Sequence, residues 1–196
     1  INLLMRFYDV DGGSILVDGV DTKEMTRHEL RDRFGMVLQD AWLFEGSIRD
    51  NIAYAQDNLP EEKIIAAARS ASVDSFIKTL PGGYDFELST GAENISQGQR
   101  QLLTIARAMA SDPEIMILDE ATSNVDTHTE QLIQKALAKL MHGRTSFVIA
   151  HRLSTIRDAD MILYMEHGDI LEHGSHEELM AQHGKYEALY MSQFAQ

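Results

Sequence analysis

The apolar positions of this chain follow two rhythms. Ile64, Ile65, Ala68, Val73, Phe76, Ile77 and Leu80 recur at helical spacing, with a slip around Ser70 to Ser72. Leu102, Leu103, Ala106 and Met109 do the same, as do Leu132, Ile133, Ala136, Leu137 and Leu140. Short continuous apolar runs lie between these helical stripes. Phe34 to Leu38 reads as a strand, and Ile115 to Leu118 and Thr145 to Ala150 read as strands buried on both faces.

Turn and cap residues set the boundaries. Asp18 and Gly19 break the alternating segment Gly12 to Asp21 and signal a hairpin, followed by a short helix over Arg27 to Asp32. Asn51 to Leu80 has the composition of a helical insertion, with Pro60 at a first helical position and Glu61 and Glu62 in the first turn. Pro81, Gly82 and Gly83 end it, and Tyr84 to Asn94 reads as a loop. The helix predicted over Thr129 to Met141 closes at Gly143. Two short strands, Met161 to Met165 and Asp169 to Glu172, flank a turn at His167 and Gly168. Ser175 and Glu178 form a capping box that opens a helix ending near Gly184, and Tyr186 to Phe194 is a last short helix. Ile1 to Tyr8 is apolar at helical spacing yet has no cap, as if a helix were entered in its middle.

The chemistry concentrates between Ile95 and Asp126. Ser96 and Gln99 make a capping box ahead of an apolar helix whose first turn holds Gly98, and a helix start beside a glycine suits an anion. Asp112 and Pro113 stop that helix, and the buried run that follows ends in Asp119 and Glu120. Two carboxylates at the carboxyl end of a buried strand suit Mg²⁺ and water activation.

The strings SQGQRQ, ILDEATSNVD and AHRLST, in this order and spacing, resemble the signature, Walker B with D-loop, and H-loop of ATP-binding cassette (ABC) ATPases. With VLQDAWLFEGSIRDNI and the ending around LYMSQF, the chain is most similar to the nucleotide-binding domain of exporter-type ABC transporters. The resemblance implies an α/β fold with the P-loop NTPase (RecA-like) core of ABC type, an inserted helical subdomain and an N-terminal truncation. It divides the chain into core with hairpin over 1–40, helical subdomain with signature over 41–110, and core with Walker B, D-loop and H-loop over 111–196.

The same resemblance assigns roles. Asp119 holds Mg²⁺ through its water shell, Glu120 is the general base, and His151 bonds the γ phosphate of ATP. Gln39 reaches Mg²⁺ and the attacking water; taken alone, a Gln at a strand end is more commonly a solvated loop residue. Ser96, Gln97, Gly98 and Gln99 cap the nucleotide of an opposite subunit, and Asp126 crosses between the two sites. The commonest family signature is LSGGQ, and Ile95 and Gln97 depart from it here, which leaves open whether the subunit pairs with itself or with a different partner. The implied partners are a second nucleotide-binding domain and a transmembrane domain outside this chain, at the cytoplasmic face of the cell membrane.

Composition narrows this picture without changing it. The 196 residues fit one domain or one core with a subdomain. A net charge of −14 argues against a nucleic-acid partner, and against the non-transport ABC clamps of DNA repair or translation that are the competing family reading. The chain has no cysteine, hence no disulfide framework or thiolate metal site. No apolar run approaches the ~18 residues of a membrane span. The histidines do not form HExxH: His176 and Glu177 are followed by Met180, and His28 and Glu29 fail in the same way. No GxxxxGK[ST] phosphate loop occurs in these 196 residues, so the expectation is that this polypeptide alone binds ATP poorly and is catalytically silent.

Overall fold

The computed structural model describes residues 1–54, 56, 58–119, 125–150 and 153–194. Two compact units result, Ile1–Val148 and Ile149–Gln196.

The first unit opens with helix-terminating geometry. Met5 N–H donates to Ile1 O, Arg6 N–H to Leu3 O and Phe7 N–H to Asn2 O, with Arg6 at φ 51°. This is a Schellman ending, the geometry that closes a helix, so the helical spacing of Ile1 to Tyr8 corresponds to a final turn closed at Arg6. Strands β1 (Leu16–Val17) and β2 (Val20–Asp21) pair antiparallel across Asp18 and Gly19, both at positive φ, the two-residue turn that matches strand twist. Helix α1 (Arg27–Asp32) starts at Thr26, whose side chain and that of Glu29 form a capping box written in the sequence as T-x-x-E. Strand β3 (Phe34–Val37) follows.

The middle of the unit is helical. Strand β4 (Gly46–Ser47) runs into α2 (Ile48–Ile52), and α3 (Glu61–Ser70) and α4 (Asp74–Ile77) follow. The slip in the apolar stripe is a break between α3 and α4, made by Ser72 at φ 62°. Pro60 is the N-cap of α3 and not its first helical residue; its φ of −57° suits either place, but its ψ of 139° is extended. The segment expected to be a loop, Tyr84 to Asn94, also contains a strand: β5 (Glu87–Leu88) pairs with β4. Strands β4 and β5 are two residues each and, unlike β1 and β2, are not joined by a two-residue turn that would announce them.

Helix α5 (Gln97–Ser111) is the centre of the unit, with Leu102, Leu103, Ile105 and Ala106 all buried. Each buried Leu or Ile stabilises by about 2 kcal/mol relative to exposure, so this helix is held by packing and not by propensity. It ends at Asp112 in the left-handed region, and β6 (Ile115–Asp119) follows. Helix α6 (Thr127–Met141) begins two residues before the expected Thr129 because Asp126 caps it. Strand β7 (Thr145–Ile149) completes a sheet ordered β3-β6-β7, in which β3 and β6 are parallel.

Strand β6 is buried on both faces, as its sequence predicts. Met116 and Leu118 join Val37 and the helices α2 to α6 in one core, while Ile117 joins Phe34, Leu30, Val17 and Met5 in a second core on the opposite face. A Cβ on Gly35 would come within 2.5 Å of Pro113 Cγ and 2.7 Å of Met116 Sδ, so β3 can lie this close to the α5–β6 turn only with glycine there. Strand β7 corrects an expectation: it is not buried on both faces, since Phe147 and Ile149 are 43% and 41% exposed. Among the described residues it is the last strand in the order.

The second unit holds α7 (Leu153–Arg157), a hairpin of β8 (Ile162–Glu166) and β9 (Asp169–Gly174), α8 (His176–Ala181) and α9 (Lys185–Phe194). The hairpin turns at His167 and Gly168, both at positive φ, as expected. Ser175 and Glu178 form the expected capping box on α8. Glu172 accepts the N–H groups of Lys185 and Tyr186 at the start of α9, placing a carboxylate at a helix N-terminus. His176 is tied structurally, its Nδ1 2.8 Å from the Tyr186 hydroxyl.

Candidate functional site

Ser96 sits where the sequence places it, at the exposed N-cap of α5. Its Oγ accepts the Gln99 N–H at 3.3 Å, and its own N–H donates to Gln99 Oε1 at 2.9 Å. Accepting that bond leaves the hydroxyl proton able to donate, and the capping box takes the Ser96 and Gln99 amides, so the Ser96 hydroxyl and the first-turn amides of Gln97 and Gly98 are the donors this helix start can offer to an anion. The loop leading to it is fastened: Arg100 donates to Gly91 O at 3.1 Å, and Asn94 Nδ2 to Glu87 O at 3.0 Å.

Gln39 is exposed just beyond β3. It and Gln97 are brought together, lining a cavity of about 210 Å³ with Asp40, Ala41, Trp42 and Arg100. Asp119 closes β6 at its carboxyl end, half-buried. Asp126 is the N-cap of α6, its Oδ1 accepting the Thr129 N–H at 3.0 Å. That bond holds the Asp126 carboxyl below the usual carboxylate range. Gly98 is buried against Val125 and Thr129, so the starts of α5 and α6 touch at this glycine. Glu120 and His151 lie outside the described residues.

Among the described residues, no three His, Asp or Glu side chains converge as a metal cage. An acidic residue at the end of a central strand suits a cation held largely by water and phosphate oxygens, which is how Mg²⁺ prefers to be bound.

Sequence reasoning missed the group that builds the segment after Gln39. Asn51 is fully buried, with Nδ2 donating to Phe44 O at 3.0 Å and Ser47 O at 3.1 Å, while Oδ1 accepts the Phe44 N–H at 3.1 Å. Arg107 of α5 donates to Asn51 O at 2.8 Å, Asn51 Oδ1 at 3.0 Å and Trp42 O at 3.1 Å. Its guanidinium lies 4.8 Å from the Tyr54 ring centre and 5.8 Å from that of Trp42, and burial pushes its pKa down. The available signal was an arginine inside an otherwise apolar helical stripe, which needs partners when it is drawn inward.

The ABC transporter family profile matches residues 1–123. The chain belongs to the ABC transporter family. Its ABC relatives include a fatty acid ABC transporter ATP-binding/permease protein of Mycobacterium bovis, 55% identical over 186 residues, which are 95% of this chain and 30% of that protein. An ATP-dependent lipid A-core flippase of Desulfotalea psychrophila is 50% identical over 192 residues, 98% of this chain and 34% of that protein. A solved bacterial Atm1-family ABC exporter with ATP bound superposes with a TM-score of 0.88 at 42% identity, covering 98% of this chain and 34% of that one. The fold is therefore that of the ABC-type P-loop NTPases, and the chain spans about a third of the length of these relatives.

Proposed function

We propose that this chain is the ATP-binding and hydrolysing part of an exporter, working with Mg²⁺ at the cytoplasmic face of a membrane. The observation that carries the reading is the exposed capping box at Ser96 on the central helix, in a chain that matches an ATP-bound exporter along 98% of its length. In this reading Asp119 and Gln39 hold the hydrated Mg²⁺, Glu120 takes the proton of the attacking water, and His151 orients it against the γ phosphate. The three segments 1–40, 41–110 and 111–196 serve as partial core, helical subdomain and second core part. The partners are a transmembrane domain and a second nucleotide-binding domain, the same or homologous, joined head to tail by ATP; nucleic acid is not among them. The cargo is left to the membrane domain, since relatives named for fatty acid and for lipid A core share this domain at similar identity.

The 196-residue polypeptide by itself is expected to give no saturable Mg·ATP binding by calorimetry, because it contains no GxxxxGK[ST] cradle. Micromolar binding would refute that expectation.

The trans role of Ser96 is tested in the full-length polypeptide. As a cap alone, Ser96→Ala costs ~1 kcal/mol of stability and leaves turnover per folded molecule unchanged. As a phosphate donor to the opposite subunit, it also weakens ATP-driven dimerisation. Mixed dimers separate trans from cis by pairing a Ser96→Ala subunit with one whose phosphate loop is disabled. Hydrolysis survives if the one working loop faces the intact Ser96 of its partner. Loss of activity there, with activity retained when both lesions share a subunit, would establish cis action and end the head-to-tail proposal.

A further inference from the structure

The buried position of Gly98 raises a separate point about the site, one that rests on the ATPase reading above. A Cβ at residue 98 would overlap the Thr129 Cγ2 methyl and press Val125 Cγ1 at 3.1 Å. Thr129 is β-branched and sits in the first turn of α6, so its methyl has few other places to go. Its N–H is at the same time the donor that Asp126 caps. One residue therefore touches both helix starts: its side chain seats Gly98 of α5, and its backbone seats Asp126 at the head of α6.

We propose that Thr129 is a positioning residue for ATP hydrolysis. By packing on Gly98 while donating its N–H to the Asp126 carboxylate, it locks the starts of α5 and α6 into one body, so that Ser96 and Asp126 are presented together. A small displacement of α6 is then felt as lost turnover and not as lost nucleotide affinity.

The test is a rescue in the full-length polypeptide. Gly98→Ala is expected to lower kcat by about tenfold or more, the scale of a forced overlap in a packed contact, with KM for ATP held within about twofold. Thr129→Ser, which removes only the methyl and keeps the hydroxyl, is expected to lower kcat by about two- to threefold. The double variant Gly98→Ala with Thr129→Ser should recover to the level of Thr129→Ser alone, because the serine leaves room for the alanine methyl. Hydrogen exchange at the first α6 amides should rise in Gly98→Ala and return in the double variant. A double variant as slow as Gly98→Ala, or a Gly98→Ala whose KM rises while kcat holds, overturns the positioning role, since the glycine would then matter only for what touches it from outside. An active Gly98→Ala overturns it as well. A wild type without ATPase activity instead overturns the functional reading and the proposal with it, so the two failures look different.

Discussion

Glu120→Gln in the full-length polypeptide is expected to cut ATP turnover by about 10²- to 10⁴-fold while ATP still binds. The amide keeps the size of the carboxylate and can still hydrogen-bond water, but it cannot accept the proton that hydrolysis releases. Strand β6, which carries Asp119 at its carboxyl end, has its two faces in two cores and so has little freedom. Single-turnover hydrolysis alongside equilibrium ATP binding separates the two effects. Turnover at the wild-type rate would remove Glu120 from the base role. Retention of full activity in His151→Ala would likewise count against the γ-phosphate assignment.

Arg107→Ala is expected to lower the protection of the α2 amides by about 3 kcal/mol, roughly a 100-fold faster exchange. The substitution removes three donors at once and leaves Asn51 O, Asn51 Oδ1 and Trp42 O without them, in a segment whose Asn51 is fully buried. It also takes the cation from between Tyr54 and Trp42. Arg107→Lys should recover less than half of the loss, because an ammonium cannot reproduce a planar fork of donors. Unchanged exchange in Arg107→Ala would mean that the segment after Gln39 is held by its aromatic contacts and Asn51 alone. Since that segment leads from Gln39 to α2, the same variant reports how firmly the residue proposed to reach Mg²⁺ is tied to the helical core.

Helix-start chemistry was readable because it is local. Ser96 with Gln99, and Ser175 with Glu178, cap their helices as the spacing dictates, since both partners of each bond lie within one turn. Thr26 with Glu29 obeys the same rule and could have been found by it. The hairpins at Asp18–Gly19 and His167–Gly168 were equally readable, because two adjacent positive-φ residues specify a twist-matched turn. Long-range pairing was not. Arg107 and Asn51 are 56 residues apart, and nothing in either neighbourhood names the other. Gln39 and Gln97 line one cavity only because α5 packs beside the loop that leaves β3.

By itself, then, the sequence determined where the helices capped by Ser96 and Ser175 start, where hairpins turn, that β6 lies between two apolar layers, and through its ordered motifs the family. Each of these rests on interactions within a few residues or on a period of burial, and both are written along the chain. Only the tertiary structure decided that Gly98 is a packing glycine, that one threonine links two helix starts, and that β7 lies partly exposed. Those facts depend on which surfaces meet, and a close approach between helices leaves no trace in the local pattern except a small residue whose neighbour is elsewhere in the chain.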